Sequence, residues 1–372
     1  ICRIQCRLIL LNRINIVIRC IVIGLLLGLV VLAIINAEHA FGDGLMVILQ
    51  SGLKSPRNMG TVLANAAPLI MTGLSVGFAF KTGLFNIGAA GQYTLGAFGA
   101  LYCAIVLQWP WYLCLLAAMV FGAVWGALPG IFKAYLNINE VITAIMFNWI
   151  GLYMVNDIMY GKGKSPMYDL SSTKTYSLRK AAPQAMIPSC GMSDVFGKLQ
   201  SVTIAIFIAI FFAIVVYVIL NKTAFGYELR ACGFNKNAAR YAGINEKRNI
   251  ILSMMISGAL AGVGAGLYYL STVAEWNPQV STALPAMGFN GISTALLACS
   301  NPIGTIFSSL FISYITVGGT KLSTQYYSKE IADVITALII YLCAFSLLFK
   351  NKIRALLEGK AKRVSVGKGG DD

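Results

Sequence analysis

Apolar residues fall along this chain in long unbroken runs rather than in alternation. SVTIAIFIAIFFAIVVYVIL (201–220) and IILSMMISGALAGVGAGLYYL (250–270) contain no charge. A helix needs about 20 mostly apolar residues to cross roughly 30 Å of hydrocarbon. Runs of that length predict helices, because a membrane barrel would alternate apolar and polar positions. The pattern predicts ten spans: 17–36, 60–80, 86–107, 111–132, 139–160, 201–220, 250–270, 285–299, 303–319 and 331–349. The eighth and ninth are short and joined by Ser300-Asn301-Pro302, so they are either two full spans or a broken, re-entrant pair. The fold class expected is all-α, a polytopic membrane protein of about ten transmembrane helices. It has a basic flank at 1–16, one membrane domain over 17–349 and a basic tail at 350–372. Polar segments at 161–200 and 221–249 interrupt the membrane domain.

Composition strengthens this picture. The 372 residues are 58% hydrophobic and only 12% charged, with mean hydropathy +0.74. Soluble domains carry about 25% charged residues. The net charge of +15 does not point to nucleic acid, which would want a basic face on a soluble domain. Here the basic residues sit between spans. With the N-terminus inside, the inner segments hold 19 of the 29 Lys and Arg, as basic cytoplasmic loops do. Both termini and the 221–249 segment are therefore placed in the cytoplasm and the 161–200 loop outside. That loop, with Lys162, Lys164, Lys174, Arg179, Lys180 and Lys198, is more basic than an outer loop should be. The run after Arg19 is too long for a cleaved leader and is read as a retained first span.

Reactive chemistry is scarce. The nine cysteines form no CxxC pair and His39 is the only histidine, so neither a zinc site nor a disulfide framework is expected. GKGKS at 161–165 resembles the end of a phosphate-binding loop, but Ile158 stands where that loop needs its first glycine. No cofactor is called for. Catalysis by this chain is not expected, since Glu140, Asp157 and Asp333 lie near span ends rather than facing one another in mid-span. The same placement weakens the alternative reading, a self-sufficient secondary transporter or channel, which would want ionisable groups deep in the membrane.

Small and uncharged polar residues are abundant instead. Glycine stands at 73, 77, 83, 88, 91, 96 and 99. It serves close helix packing and broken helices along a solute path equally well. Asn86, Gln92, Asn148, Asn290, Ser293 and Thr294 lie in the same apolar stretches. Buried amides cost several kcal/mol unless satisfied, so these face either protein or a wet path. Asn86, Gln92, Asn148, Phe289, Asn290 and Ser293 are the candidate path residues, a lining suited to a neutral polar solute.

Between two of the longest apolar runs lies GYELRACGFNKNAARYAGIN (226–245). Asn235 is a good N-cap and Gly243 a good residue just past a helix end, which predicts about two turns over Lys236–Ala242. Ala238, Ala239 and Ala242 give this helix a small face, and Lys236 and Arg240 form a basic pair at four-residue spacing. Tyr241 is its only large apolar residue. A helix this short needs its flanking spans or a partner to hold it.

This stretch resembles the cytoplasmic coupling segment of permease subunits of ATP-binding-cassette importers, in the family of branched-chain amino acid, ribose and nucleoside permeases. Other stretches agree in order. GLSVGFAFKTGLFNIGAAGQYTLGAF (73–98) is similar to the family's glycine-rich early motif, and NINEVITAIMFNWI (137–150) to its Asn-Glu-Val motif. SGALAGVGAGL (257–267) and GFNGISTALLACSNPIG (288–304) are similar to its late motifs. The pattern is closest to the nucleoside-type subgroup. It departs where Ala90 and Asn290 replace the usual Glu and Asp. The resemblance implies two inverted halves, roughly spans 2–5 and 7–10, faintly echoed in FNIG (85–88) and FNGI (289–292). It implies a prokaryotic plasma-membrane location and three kinds of partner. These are a cytoplasmic ATPase, a second homologous permease chain (or a second copy of this one) and an extracellular solute-binding lipoprotein. It assigns Asn235, Lys236, Ala238, Ala239, Arg240, Tyr241, Ala242 and Gly243 to coupling with the ATPase.

Overall fold

The structure is a computed structural model that describes residues 21–160, 165–169, 171, 174–277, 283–322, 326–328, 330–331, 333–339 and 341–342. The predicted flank at 1–16, the tail at 350–372, most of GKGKS and parts of the first and last predicted spans lie outside the described residues. The chain divides into two compact units, Ile1–Leu49 with Gly318–Asp372, and Gln50–Val317.

In the first unit an apolar helix, α1 (Ile21–Ile35), is followed by a π-helical stretch, Ala40–Met46, and then by α2 (Val47–Ser51), which ends just beyond it. Gly28 of α1 lies against Ile335. The Tyr327 hydroxyl donates to the Asn36 carbonyl at 2.9 Å. His39 stacks on Tyr326 with ring centroids 4.0 Å apart and meets Asp43 at 2.6 Å.

The second unit carries the main helices. They are α3 (Pro56–Lys81), α4 (Ala89–Ile105), α5 (Trp111–Leu136) and α6 (Glu140–Tyr160), then α7 (Leu178–Ala181), α8 (Met192–Val195) and α9 (Ala205–Lys222), then α10 (Ala224–Phe234), α11 (Lys236–Tyr241), α12 (Glu246–Leu270), α13 (Ala286–Leu297) and α14 (Pro302–Gly319), the last ending just beyond it. Local chemistry sets their ends. The Ser55 side chain accepts from the Asn58 N–H ahead of Pro56 at the start of α3, and Asn245 accepts from the Arg248 N–H at the start of α12. Asn137, left-handed at φ +53°, closes α5.

Among the described residues α3, α5, α6, α9, α12 and α14 are long and apolar enough to cross a membrane. The protein is an all-α polytopic membrane protein. Two predicted spans come out shorter. Residues 84–86 are not helical, and α4 begins only at Ala89, because the Asn86 side chain bonds to α3 and α12. The 12 residues of α13 rise about 18 Å, too short to cross the hydrocarbon unaided.

Burial sorts the helices. α3 and α12 are covered nearly all round, whereas α5, α6 and α9 leave an apolar side open. Val120 and Val124, Ile142 and Met146, and Phe207 and Phe211 are exposed on these three helices, as expected of surfaces that meet lipid. The long polar loop holds α7, α8 and a two-residue antiparallel pair, β1 (Tyr168–Asp169) with β2 (Lys174–Thr175). It gathers one end of the bundle. The Ile187 N–H donates to the Leu270 carbonyl at 3.1 Å, and the Gln184 amide donates to Gln108 at 2.5 Å. At the other end Lys133 pairs with Glu140 at 2.8 Å and Lys247 lies over the Tyr135 ring.

The most extensive helix pair is α5 with α12. Their backbones touch where glycines face each other. A Cβ at Gly122 would come within 2.9 Å of the Gly262 Cα, and one at Gly126 within 3.0 Å of the Gly258 Cα. In a membrane, where burying apolar surface gives no advantage over lipid, such close packing is what holds helices together. Gly258→Val forces backbone apart, and overpacking costs about 1–3 kcal/mol or more. The thermal midpoint in detergent should fall by several degrees or the folded protein should be lost. Gly42→Ala, where nothing lies within 4 Å, should leave it unchanged.

Candidate functional site

The polar island between α9 and α12 is two consecutive helices. The Thr223 hydroxyl ends α9 by donating to the Ile219 carbonyl at 2.6 Å and caps α10 by accepting from the Gly226 N–H at 3.0 Å. Asn235 then caps α11, its Oδ1 accepting from the Ala238 N–H at 3.1 Å. Gly243, at φ +78°, turns the chain toward α12, and a Cβ on it would meet nothing within 4 Å.

Seven of the eight predicted island residues reach the surface to some degree. Asn235, Ala238, Arg240, Tyr241, Ala242 and Gly243 are exposed and Lys236 is half-buried. Ala239 is 4% exposed and faces its own chain. The outward small face is therefore Ala238 with Ala242, beside a Tyr241 that is 94% exposed. Phe234, which sequence reasoning missed, is 91% exposed. It precedes the cap, where an apolar residue normally packs on the helix's fourth residue as a staple. That residue is Ala239, already buried against the chain, so Phe234 stays free. The signal for it was its position directly before Asn235. Beneath the island, Leu229 and Cys232 are buried. The Asn249 amide reaches Glu228 Oε2 at 3.5 Å and Cys232 Sγ at 3.6 Å.

The six predicted path residues separate into two groups. Asn86, Gln92 and Asn148 are fully buried and bonded. Asn86 Nδ2 donates to Gln92 Oε1 at 2.7 Å and to Ser257 Oγ at 2.6 Å, with Ser75 Oγ at 3.4 Å. Gln92 Nε2 returns a bond to Asn86 Oδ1 at 3.1 Å. Ser257 also donates to the Ser75 carbonyl at 2.7 Å. Asn148 Oδ1 accepts from the Gly91 N–H at 2.8 Å, and its amide donates to the Ile87 carbonyl at 3.0 Å. The cluster ties α3, α4, α6 and α12 together at the start of α4. Ser75 and Ser257 belong to it and were not foreseen, because a serine in an apolar run carries no sign of its partner.

Phe289, Asn290 and Ser293 form the second group, on α13, and all are half-buried. The Asn290 side-chain amide makes no hydrogen bond among the described residues, although its carbonyl accepts from Thr294 Oγ1 at 2.7 Å. Two glycines press α13 onto its neighbours. A Cβ at Gly288 would meet the backbone N of Ala90 at 2.7 Å, and one at Gly291 the Thr72 carbonyl at 2.7 Å. The first turns of α4 and α13 thus meet at Ala90. Ala90 is fully buried at this contact.

Residues 58–344 match the model of a family described as branched-chain amino acid transport system / permease component. The nucleoside ABC transporter permease protein NupB of Lactococcus lactis subsp. cremoris is 33% identical, over 94% of this chain and 95% of its own. The guanosine ABC transporter permease protein NupP of Bacillus subtilis is 31% identical, over 88% and 91%. The glucose ABC transporter permease protein TsgB13 of Haloferax volcanii is 28% identical, over 88% and 86%. The first two bacteria each hold a second, more distant match, also a permease protein, at 27% identity. No solved structure matches the chain. With the family model covering most of its length and two such relatives aligned almost end to end, the chain belongs to the family of permease components of branched-chain amino acid-type transport systems.

Proposed function

We propose that the chain is the membrane permease subunit of an ATP-driven importer for a nucleoside or a related sugar-containing solute. The observation that carries this reading is the near full-length similarity to two permeases named for nucleosides and guanosine. The glucose relative shares a sugar-bearing, uncharged substrate with them. The chain itself performs no hydrolysis: energy comes from a cytoplasmic ATPase that docks on the island. The second homologous match in each of two bacteria favours a heterodimer of permease chains. An extracellular lipoprotein delivers the solute, and both termini lie in the cytoplasm.

In this reading Phe234 and Tyr241 are the anchors for the ATPase. Large aromatics fully exposed on a polar segment are the residue type that dominates protein interfaces. Ala239 supports the helix from within. The solute path runs past α13. Phe289 offers a ring face to a base, and Asn290 and Ser293 offer neutral hydrogen-bonding groups to base or ribose. Asn86, Gln92 and Asn148 line nothing in this scheme, since their bonds are spent on one another and on backbone. They hold the start of α4 against α6 and α12, while α13 presents the open amide. The first turns of α4 and α13, meeting at Ala90 and Gly288, are the meeting point of two inverted halves that rock about the path.

Proteoliposomes holding the chain with its ATPase, second permease and binding lipoprotein should take up guanosine only with ATP. Other nucleosides should compete and leucine should not. Uptake by the chain alone on an ion gradient would overturn the reading. Tyr241→Ala with Phe234→Ala should weaken co-purification of the ATPase by about thirtyfold, the loss of roughly 2 kcal/mol expected at an anchor. Asn290→Leu should lower uptake about tenfold, the worth of one hydrogen bond to solute, with the thermal midpoint unchanged. Asn86→Leu should do the opposite. It removes both bonds of the buried Gln92 amide, at about 1–3 kcal/mol, and lowers the thermal midpoint first. Equal thermal loss in both variants would return Asn290 to a packing role.

A further inference from the structure

One face of α12 connects the docking island to the buried amide cluster. Asn249, Ser253 and Ser257 stand at four-residue spacing, so they lie in a row along the helix. All three are buried, and each is bonded to a different part of the molecule. Asn249 holds Glu228 and Cys232 of α10. The Ser253 hydroxyl pairs with that of Thr82, the residue that ends α3. Ser257 holds Ser75 and Asn86.

The island reaches Thr82 a second way. Gly233, near the end of α10, lies with its backbone directly on the turn between α3 and α4. A Cβ there would come within 2.7 Å of the Thr82 carbonyl carbon and 2.8 Å of the Gly83 nitrogen. Gly83 is itself left-handed, at φ +76°, and a Cβ on it would strike Gly233. A contact between two backbones has no rotatable side chain to absorb a push. Any shift of α10 therefore passes to the turn at 82–83, three residues before Asn86.

At the far end of the row the cluster has a built-in choice. The Asn86 amide has two protons, while Gln92 Oε1, Ser257 Oγ and Ser75 Oγ all lie within 3.4 Å of its nitrogen. Two acceptors at most are served at once. The Ser257 hydroxyl has one proton, with the Ser75 carbonyl at 2.7 Å and the Ser75 hydroxyl at 3.0 Å both in reach. The network can exchange partners without losing its bond count, which is what an element biased from a distance requires.

We propose that the Asn249–Ser253–Ser257 row, with the Gly83–Gly233 contact, positions the start of α4 according to the state of the docking island and so couples ATPase movement to the path. The proposal rests on the island being the ATPase docking site. These are positioning residues that touch neither nucleotide nor solute.

The test compares uptake per ATP hydrolysed in the reconstituted complex. Gly233→Ala and Ser253→Ala should each lower that ratio about threefold or more, within the range by which residues between two sites modulate coupling. ATPase co-purification should stay at the wild-type level in both, as should the thermal midpoint of Ser253→Ala, whereas Gly233→Ala, with its Cβ 2.7 Å from backbone, should lower the midpoint. Ser253→Thr, which keeps a hydroxyl, should restore most of the ratio. Combining Gly233→Ala with Ser253→Ala should be no worse than the stronger single change, because both act at Thr82–Gly83. If Gly233→Ala does not accumulate as folded protein, Ser253→Ala and Ser253→Thr decide by the same ratio. A wild-type ratio in Ser253→Ala with the ATPase attached would overturn the coupling row alone. An ATPase that stays fully attached when Phe234 and Tyr241 are both alanine would overturn the docking reading and the row with it.

Discussion

Backbone contact between α5 and α12 is the constraint on which the second unit rests. Gly122 and Gly126 face Gly258 and Gly262, so two helices of 26 and 25 residues approach as closely as main chains allow. Dispersion between apposed backbones, rather than apolar burial, drives this association in a membrane. With one side of α12 committed to α5, its serine row is turned to α3. α4 then closes on the same seam, with Gly96 against Gly262. α12 becomes the central helix because three neighbours can reach its backbone.

That central position sorts the polar residues. In hydrocarbon an amide must be satisfied by protein or by water. Near α12 it is satisfied by protein: Asn86, Gln92, Ser75 and Ser257 bond to one another, and Asn148 bonds to the backbone of Gly91 and Ile87. On α13, away from that seam, the Asn290 side-chain amide makes no hydrogen bond among the described residues, and the residue is half-buried. The two groups have the same chemistry and opposite surroundings. A closed set of bonds gives rigidity, and an open amide keeps its hydrogen-bonding capacity.

The island follows from the same division. Its inner side, where Leu229, Cys232 and Ala239 are buried and the exposed Gly233 lays its backbone on the α3–α4 turn, is fitted to the bundle. Its outer side carries Phe234, Tyr241 and Arg240. One short segment thus has an open outer surface and a surface pressed on the α3–α4 turn.

Much of this was legible in order along the chain. Unbroken apolar runs predict membrane helices because the length of a run is set by the thickness of hydrocarbon, a one-dimensional constraint. Caps are equally local: Asn235 and Gly243 bracket α11 through bonds made within four residues. The family motifs, too, are properties of order. What needed tertiary structure was every statement about facing. Nothing in the order of residues tells that Ala239 turns inward while Ala238 turns outward, that Asn86 folds back to Ser257 and delays α4 to Ala89, or that Gly233 meets Gly83. Each of these pairs residues far apart in the chain, or chooses between neighbours on a helix circumference. Those choices are made by which backbones can approach and which buried polar atoms find a partner. The sequence by itself determined the solvent, the helices and their caps; the packing of α12 decided which buried polar residues bond to one another and which are left open.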